Sequence, residues 1–483
     1  MNKELKRVSL VIAVMFASLL ASSTIIQGVT ADSLSADQRN VRTVYDSYAI
    51  QRGDILVDGQ PIAQSLKSDD IFSYNRKYSS NKYSAVTGFF SLFNGQTGLE
   101  SASSDYLTGK NSAQFFEQIN ALFSGNAVIG GSIELTIDPK VQQVAWDALG
   151  SMKGAVVAID PITGNILAMV SKPGFNANLL SVHDSETATN NYNELLNNKN
   201  DPLINRAIGG DLYAPGSVFK LVVSAAALES GNFTADSKID NPTKFKLPGT
   251  ETYVQNSGEG NCGGKATVSL ADALKLSCNV PFAQVGIQLG QDRIAQQASL
   301  FGFGKNLRVP LVVTPSVYPT GMDDAQTGLS AFGQFDVRVT PLQMAMVSAA
   351  IANKGVLMRP NLIENVLSSN LASLYQPKPA EFSKPVSEKT ANALTIMMEN
   401  AVAHGVSSNG QIAGVRVAGK TGTAQNGKGE PYTLWFTGFA PIDNPRVAVA
   451  VVVEDGGGYG QSGRGNSLAA PIARKVMQAV LGK

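Results

Sequence analysis

Residues 213–228 read Tyr-Ala-Pro-Gly-Ser-Val-Phe-Lys-Leu-Val-Val-Ser-Ala-Ala-Ala-Leu. Pro215 suits the first turn of a helix, and Phe219, Val222, Val223 and Leu228 recur at roughly helical spacing, so a turn feeds a buried helix here. Ser217 then lies near the helix N-terminus, and Lys220, three residues on, shares its face. A serine hydroxyl attacks poorly unless a neighbour takes its proton. A lysine kept neutral by burial can do that. Alone the pair says little, because Ser-x-x-Lys arises by chance in many helices as a capping serine and a lysine laid along apolar surface.

At 483 residues the chain has room for two or three domains and a sizeable core. The 39 basic and 38 acidic residues leave a net charge of +1, so no overall field steers it toward nucleic acid. Charged residues are only 16%, with 46 Gly and 21 Pro, which suits a loop-rich soluble body and not a helical array. The N-terminus differs. Lys3, Lys6 and Arg7 precede an uncharged run over residues 8–31, and Asp32 is the first acid after it. That run is long enough to span a bilayer. Its basic flank predicts a cytoplasmic tail over 1–7, a single-pass anchor over 8–31, and everything beyond outside the cell membrane. The rival is a cleaved signal peptide, since Val29-Thr30-Ala31 resembles a small-x-small cleavage site. No comparable apolar stretch downstream would hold a cleaved chain at the membrane.

Residues 32–145 read as a smaller N-terminal unit. A helix is expected over 36–48, a strand–turn–strand around Asp58-Gly59, and a second helix near 111–123. No cluster of acids or ligands lies there, so it reads as a non-catalytic pedestal. Asp138 and Pro139 open a helix that straddles the boundary. Residues 146–483 form the larger domain. It begins with a hairpin over 154–160 and 165–171, followed by a polar, Asn-rich connection over 174–212. After the Ser217 helix come short strands over 233–265, a Ser269-to-Asp272 capping box and a helical start at 280–289. Thr340 and Pro341 open an apolar helix to about 353, and another helix covers 390–402. Strands over 415–423, 434–440 and 446–453 and a terminal helix over 467–480 close the chain. Two strands early, a helical middle and three strands late predict an α+β fold with a five-stranded antiparallel sheet flanked by helices.

Gly414-x-x-x-x-Gly419-Lys420-Thr421 satisfies the phosphate-loop pattern letter for letter. The alternation of Val415, Val417 and Gly419 to Thr423 argues a strand with no helix after it, so nucleotide binding is rejected. Lys420-Thr421-Gly422-Thr423 reads better as the edge of a cleft. There a cation and two hydroxyls suit a carboxylate, and Gly422 allows close backbone approach. Ser277-Cys278-Asn279 is the third element. Residues two apart diverge on a regular helix, so both can reach one site only where the chain turns, which a break at Pro281 would permit.

In that order, Ser217/Lys220, Ser277/Asn279 and Lys420/Thr421/Gly422 resemble the three signatures of penicillin-binding proteins and serine β-lactamases. The likeness extends to Arg52-Gly53-Asp54-Ile55, Gly98-Leu99-Glu100, Asp201-Pro202-Leu203-Ile204-Asn205-Arg206-Ala207, Gly333-Gln334, Thr340-Pro341-Leu342-Gln343-Met344-Ala345 and Trp435-Phe436-Thr437-Gly438. Over essentially the whole chain the sequence is similar to class B penicillin-binding proteins, nearest the short actinobacterial type called penicillin-binding protein A. The resemblance implies a D,D-transpeptidase that cross-links peptidoglycan stem peptides in wall synthesis and division and is inhibited by β-lactams. It implies Ser217 as the acylated nucleophile, Lys220 as its base and Ser277 as proton relay to the leaving amine. It gives Lys420 as the group that tunes Ser277, Asn279 as a holder of the substrate amide, and Thr421 and Thr423 beside Gly422 as carboxylate binders. The backbone N–H groups of Ser217 and Thr423 would form the oxyanion hole. Partners implied are stem peptides, β-lactams, and division or wall-synthesis proteins, including a separate glycosyltransferase, because residues 32–134 are too short for one. No cofactor or metal is implied. A different class of function stays open: a β-lactam-binding scaffold or sensor of the division machinery, using the chemistry-free residues 32–145.

The two histidines, His183 in the Asn-rich connection and His404 at a helix end, read as surface residues, which disfavours a Ser-His-Asp triad. Met344, Met346, Met397 and Met398 read as core filler. Gly456 to Gly465 is either a plain loop or a rim of the cleft. Cys262 and Cys278 form an even pair in an exported chain, which predicts a disulfide; the alternative is two free thiols with Cys278 as small filler.

Overall fold

The computed structural model describes residues 3–30, 34, 50–114, 118–119, 123, 128–258 and 260–483. The helix expected over 36–48 lies outside the described residues. The one near 111–123 is described only in part, opening as a 3-10 turn, Ser112–Gln114. Helix α1 (Lys3–Thr24) runs on through a π turn to Val29, exposed throughout and apolar enough to cross a membrane.

In the N-terminal region β1 (Ile55–Val57) and β2 (Gln60–Lys67) form the expected hairpin. Asp58 and Gly59 both take positive φ, 51° and 68°, as a two-residue turn of this hand requires. Strand β3 (Tyr74–Tyr78) pairs with β2, and β4 (Ser132–Leu135) runs parallel to β1. Beneath them lies a buried ion triad that the sequence did not reveal. Glu100 takes Arg52 Nε at 2.6 Å and Arg76 Nε at 2.7 Å, and Tyr78 donates to it at 3.1 Å. Burial works against the Glu100 charge, but the two guanidiniums outweigh it and hold the carboxyl below its ordinary range.

Helix α2 (Pro139–Leu149) starts as its sequence dictates, with Asp138 Oδ1 accepting from Lys140 N at 2.8 Å and Val141 N at 3.0 Å. The hairpin β5 (Gly154–Ile159) and β6 (Ile166–Lys172) follows. The Asn-rich connection is not all loop. It holds α3 (Ser185–Leu196), capped by Asp184, in which only Ala188 is buried, so no apolar stripe marked it. His183, just before it, is 10% exposed and hydrogen-bonded to Asp70, a tie between loops and not a free surface residue.

A 3-10 turn, Gly216–Phe219, leads into α4 (Lys220–Glu229), and Pro215 precedes that turn instead of starting the α-helix. Strand β7 (Tyr253–Gln255) comes next, then α5 (Leu270–Leu276) and α6 (Asn279–Leu289). Ser269 Oγ caps α5 by accepting from Asp272 N at 3.0 Å, but the Asp272 carboxylate turns to Lys275, so only half of the expected box forms. Thr340 and Pro341 open α7 (Pro341–Ala352), buried on every side.

Strands β8 (Ile363–Leu367) and β9 (Ser373–Tyr375) depart from the expected organisation. They join the N-terminal strands in a six-stranded sheet ordered β9-β8-β4-β1-β2-β3. Residues after α7 thus complete the sheet begun before α2. After α8 (Glu388–Ala403) come β10 (Ala418–Ala424), β11 (Thr433–Ala440), β12 (Val447–Val453) and α9 (Ala469–Leu481). The second sheet is ordered β10-β11-β12-β5-β6 and is antiparallel throughout, as expected. Strand β12 sits at its centre, buried on both faces. Ala448, Ala450 and Val452 join the core that holds α7. Val447, Val449, Val451 and Val453 join the core under α2 and α9. The four methionines read as filler are buried.

Candidate active site

Strand β10 is an edge strand, and the turn carrying Ser217 lies against it. Three glycines make that approach possible. A Cβ on Gly422 would stand 3.0 Å from Pro215 O, and one on Gly216, at φ +54°, 3.1 Å from Ala424 N. Gly333, at φ +77°, accepts at its carbonyl from Gly216 N at 2.9 Å, and a Cβ there would meet Gly216 O at 2.0 Å. Upstream, Trp435 Nε1 donates to Ala214 O at 3.0 Å, while the Tyr213 hydroxyl donates to Glu454 at 2.6 Å. Glu454 also takes Arg206 Nε at 2.8 Å and Lys153 Nζ at 3.0 Å. The nucleophile candidate is thus fixed from both sides of its turn.

Ser217 is half-buried, and Lys220 is fully buried as the first residue of α4. Among the described residues no hydrogen bond joins the Ser217 hydroxyl to Lys220. Lys220 Nζ instead donates to Ser277 O at 2.8 Å and Asn279 Oδ1 at 2.9 Å, with Ser277 Oγ at 3.4 Å. Both partners reach it because the chain does turn between them. Ser277 takes the left-handed conformation (φ 60°, ψ 41°) and closes α5, and Asn279 opens α6. The break is therefore at Ser277–Cys278 and not at Pro281, which sits within the first turn of α6, where its missing N–H leaves no helical bond unmade. Lys420 Nζ completes the cluster, donating to Ser277 Oγ and to Thr421 O, each at 2.8 Å.

Two buried amines so close do not both stay charged. Burial first, and the Lys420 charge second, hold Lys220 well below the ordinary lysine value. Burial brings Lys420 down to about 7. A neutral Lys220 amine has two N–H bonds and one lone pair. Ser277 O and Asn279 Oδ1 take the two N–H bonds, which leaves the lone pair for an incoming proton.

The two threonines differ. Thr421 is buried, its hydroxyl donating to Val406 O at 3.2 Å and its N–H to Ser407 Oγ at 3.0 Å. Thr423 is half-buried and accepts from Gly465 N at 3.3 Å, so it is the more accessible hydroxyl. Through Gly465 the glycine-rich loop borders Thr423, and a Cβ on Gly465 would lie 2.3 Å from Gly422 O. Gly465 ends the loop offered by the sequence as a possible rim of the cleft, and here it does border the strand; Ser407 belongs to no motif, and no signal in the sequence singles it out. The two cysteines are bonded, Cys262 to Cys278, with Cα atoms 5.7 Å apart. Among the described residues no group of three or more His, Cys, Asp or Glu gathers to hold a metal.

Comparison with known proteins agrees with this geometry. Residues 154–478 match the penicillin binding protein transpeptidase domain, and residues 52–133 the penicillin binding protein A dimerisation domain. The chain is 40% identical to the peptidoglycan D,D-transpeptidase PbpA of Mycolicibacterium smegmatis, over 100% of this chain and 99% of that one. It is also 40% identical to PbpA of Mycobacterium tuberculosis over the same shares. Its fold superposes on penicillin-binding protein A of M. tuberculosis, solved as a ceftriaxone acyl-enzyme complex, with a TM-score of 0.87 and 39% identity, covering 90% of this chain and 100% of that one. A D,D-transpeptidase domain from Eggerthella lenta matches at TM-score 0.77 and 33% identity, over 89% of this chain and 98% of that one. A serine and two lysines gathered beside a glycine-tight edge strand, a family match over most of the chain and a full-length relative agree: the chain belongs to the penicillin-binding protein transpeptidase family.

Proposed function

We propose that this protein is a membrane-anchored peptidoglycan D,D-transpeptidase working through a Ser217 acyl-enzyme. The observation that carries the reading is the Lys220 amine, buried, held well below the ordinary lysine value and set against Ser277 O, Ser277 Oγ and Asn279 Oδ1, so that its neutral form offers a lone pair at the site. Ser217 Oγ gives its proton to that lone pair as it attacks the carbonyl carbon of the penultimate D-Ala of a donor stem. Hydrogen bonds of this kind commonly close only when substrate is bound, which fits the gap between Ser217 and Lys220 here. The N–H groups of Ser217 and Thr423 hold the oxyanion. The C–N bond then breaks, and the leaving D-Ala amine takes a proton from Ser277, which Lys220 and Lys420 both contact. Lys220 passes the proton it took on to Ser277. An acceptor amine next attacks the acyl carbon and gives a proton to Lys220, the ester C–O bond to Ser217 breaks, Ser217 Oγ takes that proton back, and the new amide is the cross-link. Asn279 holds the donor's amide, and Thr423, with Thr421 behind it, receives the terminal carboxylate.

The rest of the chain supports this role. Residues 8–31 anchor the protein with its N-terminus in the cytoplasm and the catalytic domain outside. Residues 32–145 act as a pedestal, and a separate glycosyltransferase of the wall-synthesis or division machinery supplies the glycan strands. A scaffold without catalysis has no use for a buried neutral lysine on a proton path, so that reading is set aside. A fluorescent β-lactam tests the assignment: it should label the wild type and not Ser217→Ala. Labelling of Ser217→Ala would end it. With a stem-peptide donor, added amine acceptor should give cross-linked product; release of D-Ala alone would reassign the enzyme as a carboxypeptidase.

A further inference from the structure

The turn that brings Ser277 and Asn279 to Lys220 lacks an ordinary cap. Cys278 occupies the N-cap position of α6, its sulfur bonded to Cys262, and its side chain accepts no N–H. The first N–H groups of α6 are satisfied from elsewhere. Asn256, which follows β7 by one residue, accepts from both Asn279 N and Val280 N at its Oδ1, at 2.9 and 3.0 Å. Its amide group donates to Asn241 Oδ1 and Gly260 O, each at 3.2 Å. Asn241 is used as fully. It accepts also from Cys262 N at 3.2 Å and donates to Cys262 O at 2.8 Å and Lys265 O at 2.7 Å. Asn241 is fully buried and Asn256 is 5% exposed. Eight side-chain hydrogen-bonding positions on two buried amides are thus all filled, an arrangement that fixes its members in one place.

We infer that Asn256 is a positioning residue for acyl transfer: capping α6 from outside, it sets where Asn279 and Ser277 stand relative to Lys220. The inference rests on the acyl-enzyme reading above. Its physical content is an unbroken path of bonds, from Asn241 through Asn256 to Asn279 N, and from Asn279 Oδ1 to the Lys220 amine. An apolar side chain at 256 leaves two helix-terminal N–H groups without an acceptor, and the turn then relaxes toward water. A displacement of about 1 Å among reacting groups costs on the order of 100-fold in rate. The disulfide ties the same turn covalently but bonds to neither N–H, so it does not replace the cap.

The test separates cap from fold. Asn256→Leu removes the acceptor. Asn256→Asp keeps both accepted N–H bonds but loses both donated ones and sets oxygen against oxygen at Asn241 and Gly260, so it lowers Tm. The full chain of each variant is assayed with a chromogenic cephalosporin for the acylation rate constant and the pre-acylation binding constant, well below Tm. Rates are read on each variant's alkaline plateau, because a buried negative charge introduced at 256 raises the pKa of nearby amines and so moves the acid limb upward. The expected result is an acylation rate constant at least tenfold lower in Asn256→Leu and within threefold of wild type in Asn256→Asp, despite the lower Tm of the latter. Rates that follow Tm, or a wild-type rate in Asn256→Leu, overturn the inference. If Asn256→Leu does not fold, Asn256→Asp decides alone: a tenfold loss on its plateau overturns the inference, and retention supports it. Ser217→Ala beside them distinguishes the two readings, since acylation of that variant refutes the acyl-enzyme assignment itself.

Discussion

Lys420→Met should make the protein less active and change how its stability depends on pH. Lys420 is fully buried, with its amine at about 7 against an ordinary 10.5. In the unfolded chain that amine keeps its proton up to its ordinary value, while in the folded protein it loses it from about neutral pH upward. The unfolded state therefore binds more protons between those limits, and stability rises with pH across that window. Each pKa unit is worth about 1.4 kcal/mol, so desolvating this amine costs roughly 4 kcal/mol at pH 7.5 and roughly 1 kcal/mol at pH 9.5. The difference, roughly 2–3 kcal/mol, is the part of the wild-type rise that Lys420 supplies. Methionine removes it. It also leaves Thr421 O without its 2.8 Å donor, an offset of about 1–3 kcal/mol that does not titrate. Lys220 stays in the variant, still depressed by its own burial though relieved of the Lys420 charge, so some slope remains. Urea unfolding of both proteins at pH 7.5, 8.5 and 9.5 measures this directly. The stability of Lys420→Met relative to wild type should fall by roughly 2–3 kcal/mol across the series. A difference that stays constant with pH would show that Lys420 is charged or hydrated in the folded state, and the argument for a neutral lysine pair would fail. Acylation should fall as well, since Ser277 Oγ loses its 2.8 Å partner.

Glu100→Ala should lower stability by about 3–5 kcal/mol, because it leaves two buried guanidiniums without a counter-charge; a thermal melt within 1 °C of wild type would show that Arg52 and Arg76 reach water. Loss of the Cys262–Cys278 bond, which spans 16 residues, should remove up to about 3 kcal/mol and slow acylation more than it lowers the melting temperature. The bond is checked by mass spectrometry of an unreduced, alkylated digest, where alkylation of both cysteines would refute it. An unchanged acylation rate after reduction would refute its geometric role. The full chain should stay with membranes through an alkaline wash, and residues 32–483 alone should be soluble and still take up β-lactam; a mature N-terminus at Asp32 would show cleavage instead.

What could be read from the sequence was what is written locally. Strands β5 and β12 carry continuous apolar runs because both faces are covered, while the edge strand β10, Ala-Gly-Lys-Thr-Gly-Thr-Ala, shows only through its alternation. The caps at Asp138 and Thr340 show because a cap is a local bond between side chain and backbone. Ser217, Lys220, Ser277, Asn279 and Lys420 were legible through their spacing and order. The rest is tertiary. Nothing in Ile-Glu-Asn-Val-Leu says that β8 pairs with β4, more than two hundred residues earlier. Helix α3 has too little buried surface to leave a periodic pattern. Ser407, which takes the Thr421 N–H, and Asn256, which takes those of α6, act across folded distance and belong to no motif. Proline advertises a helix end and so draws the expected break to Pro281, while a serine in the left-handed conformation gives no such sign at Ser277.

The six-stranded sheet sets an order of events during synthesis. Its parallel pair, β1 and β4, is complete once residue 135 exists, but the other edge of β4 waits for β8 at residues 363–367. A growing chain emerges N-terminus first, so that edge stays unpaired while some 230 further residues follow. An open strand edge invites pairing with a second chain. The N-terminal region is therefore not a finished module on which the catalytic part is later set down. The catalytic part must reach back and close it, and a chain stopped before residue 363 would keep its unmet edge.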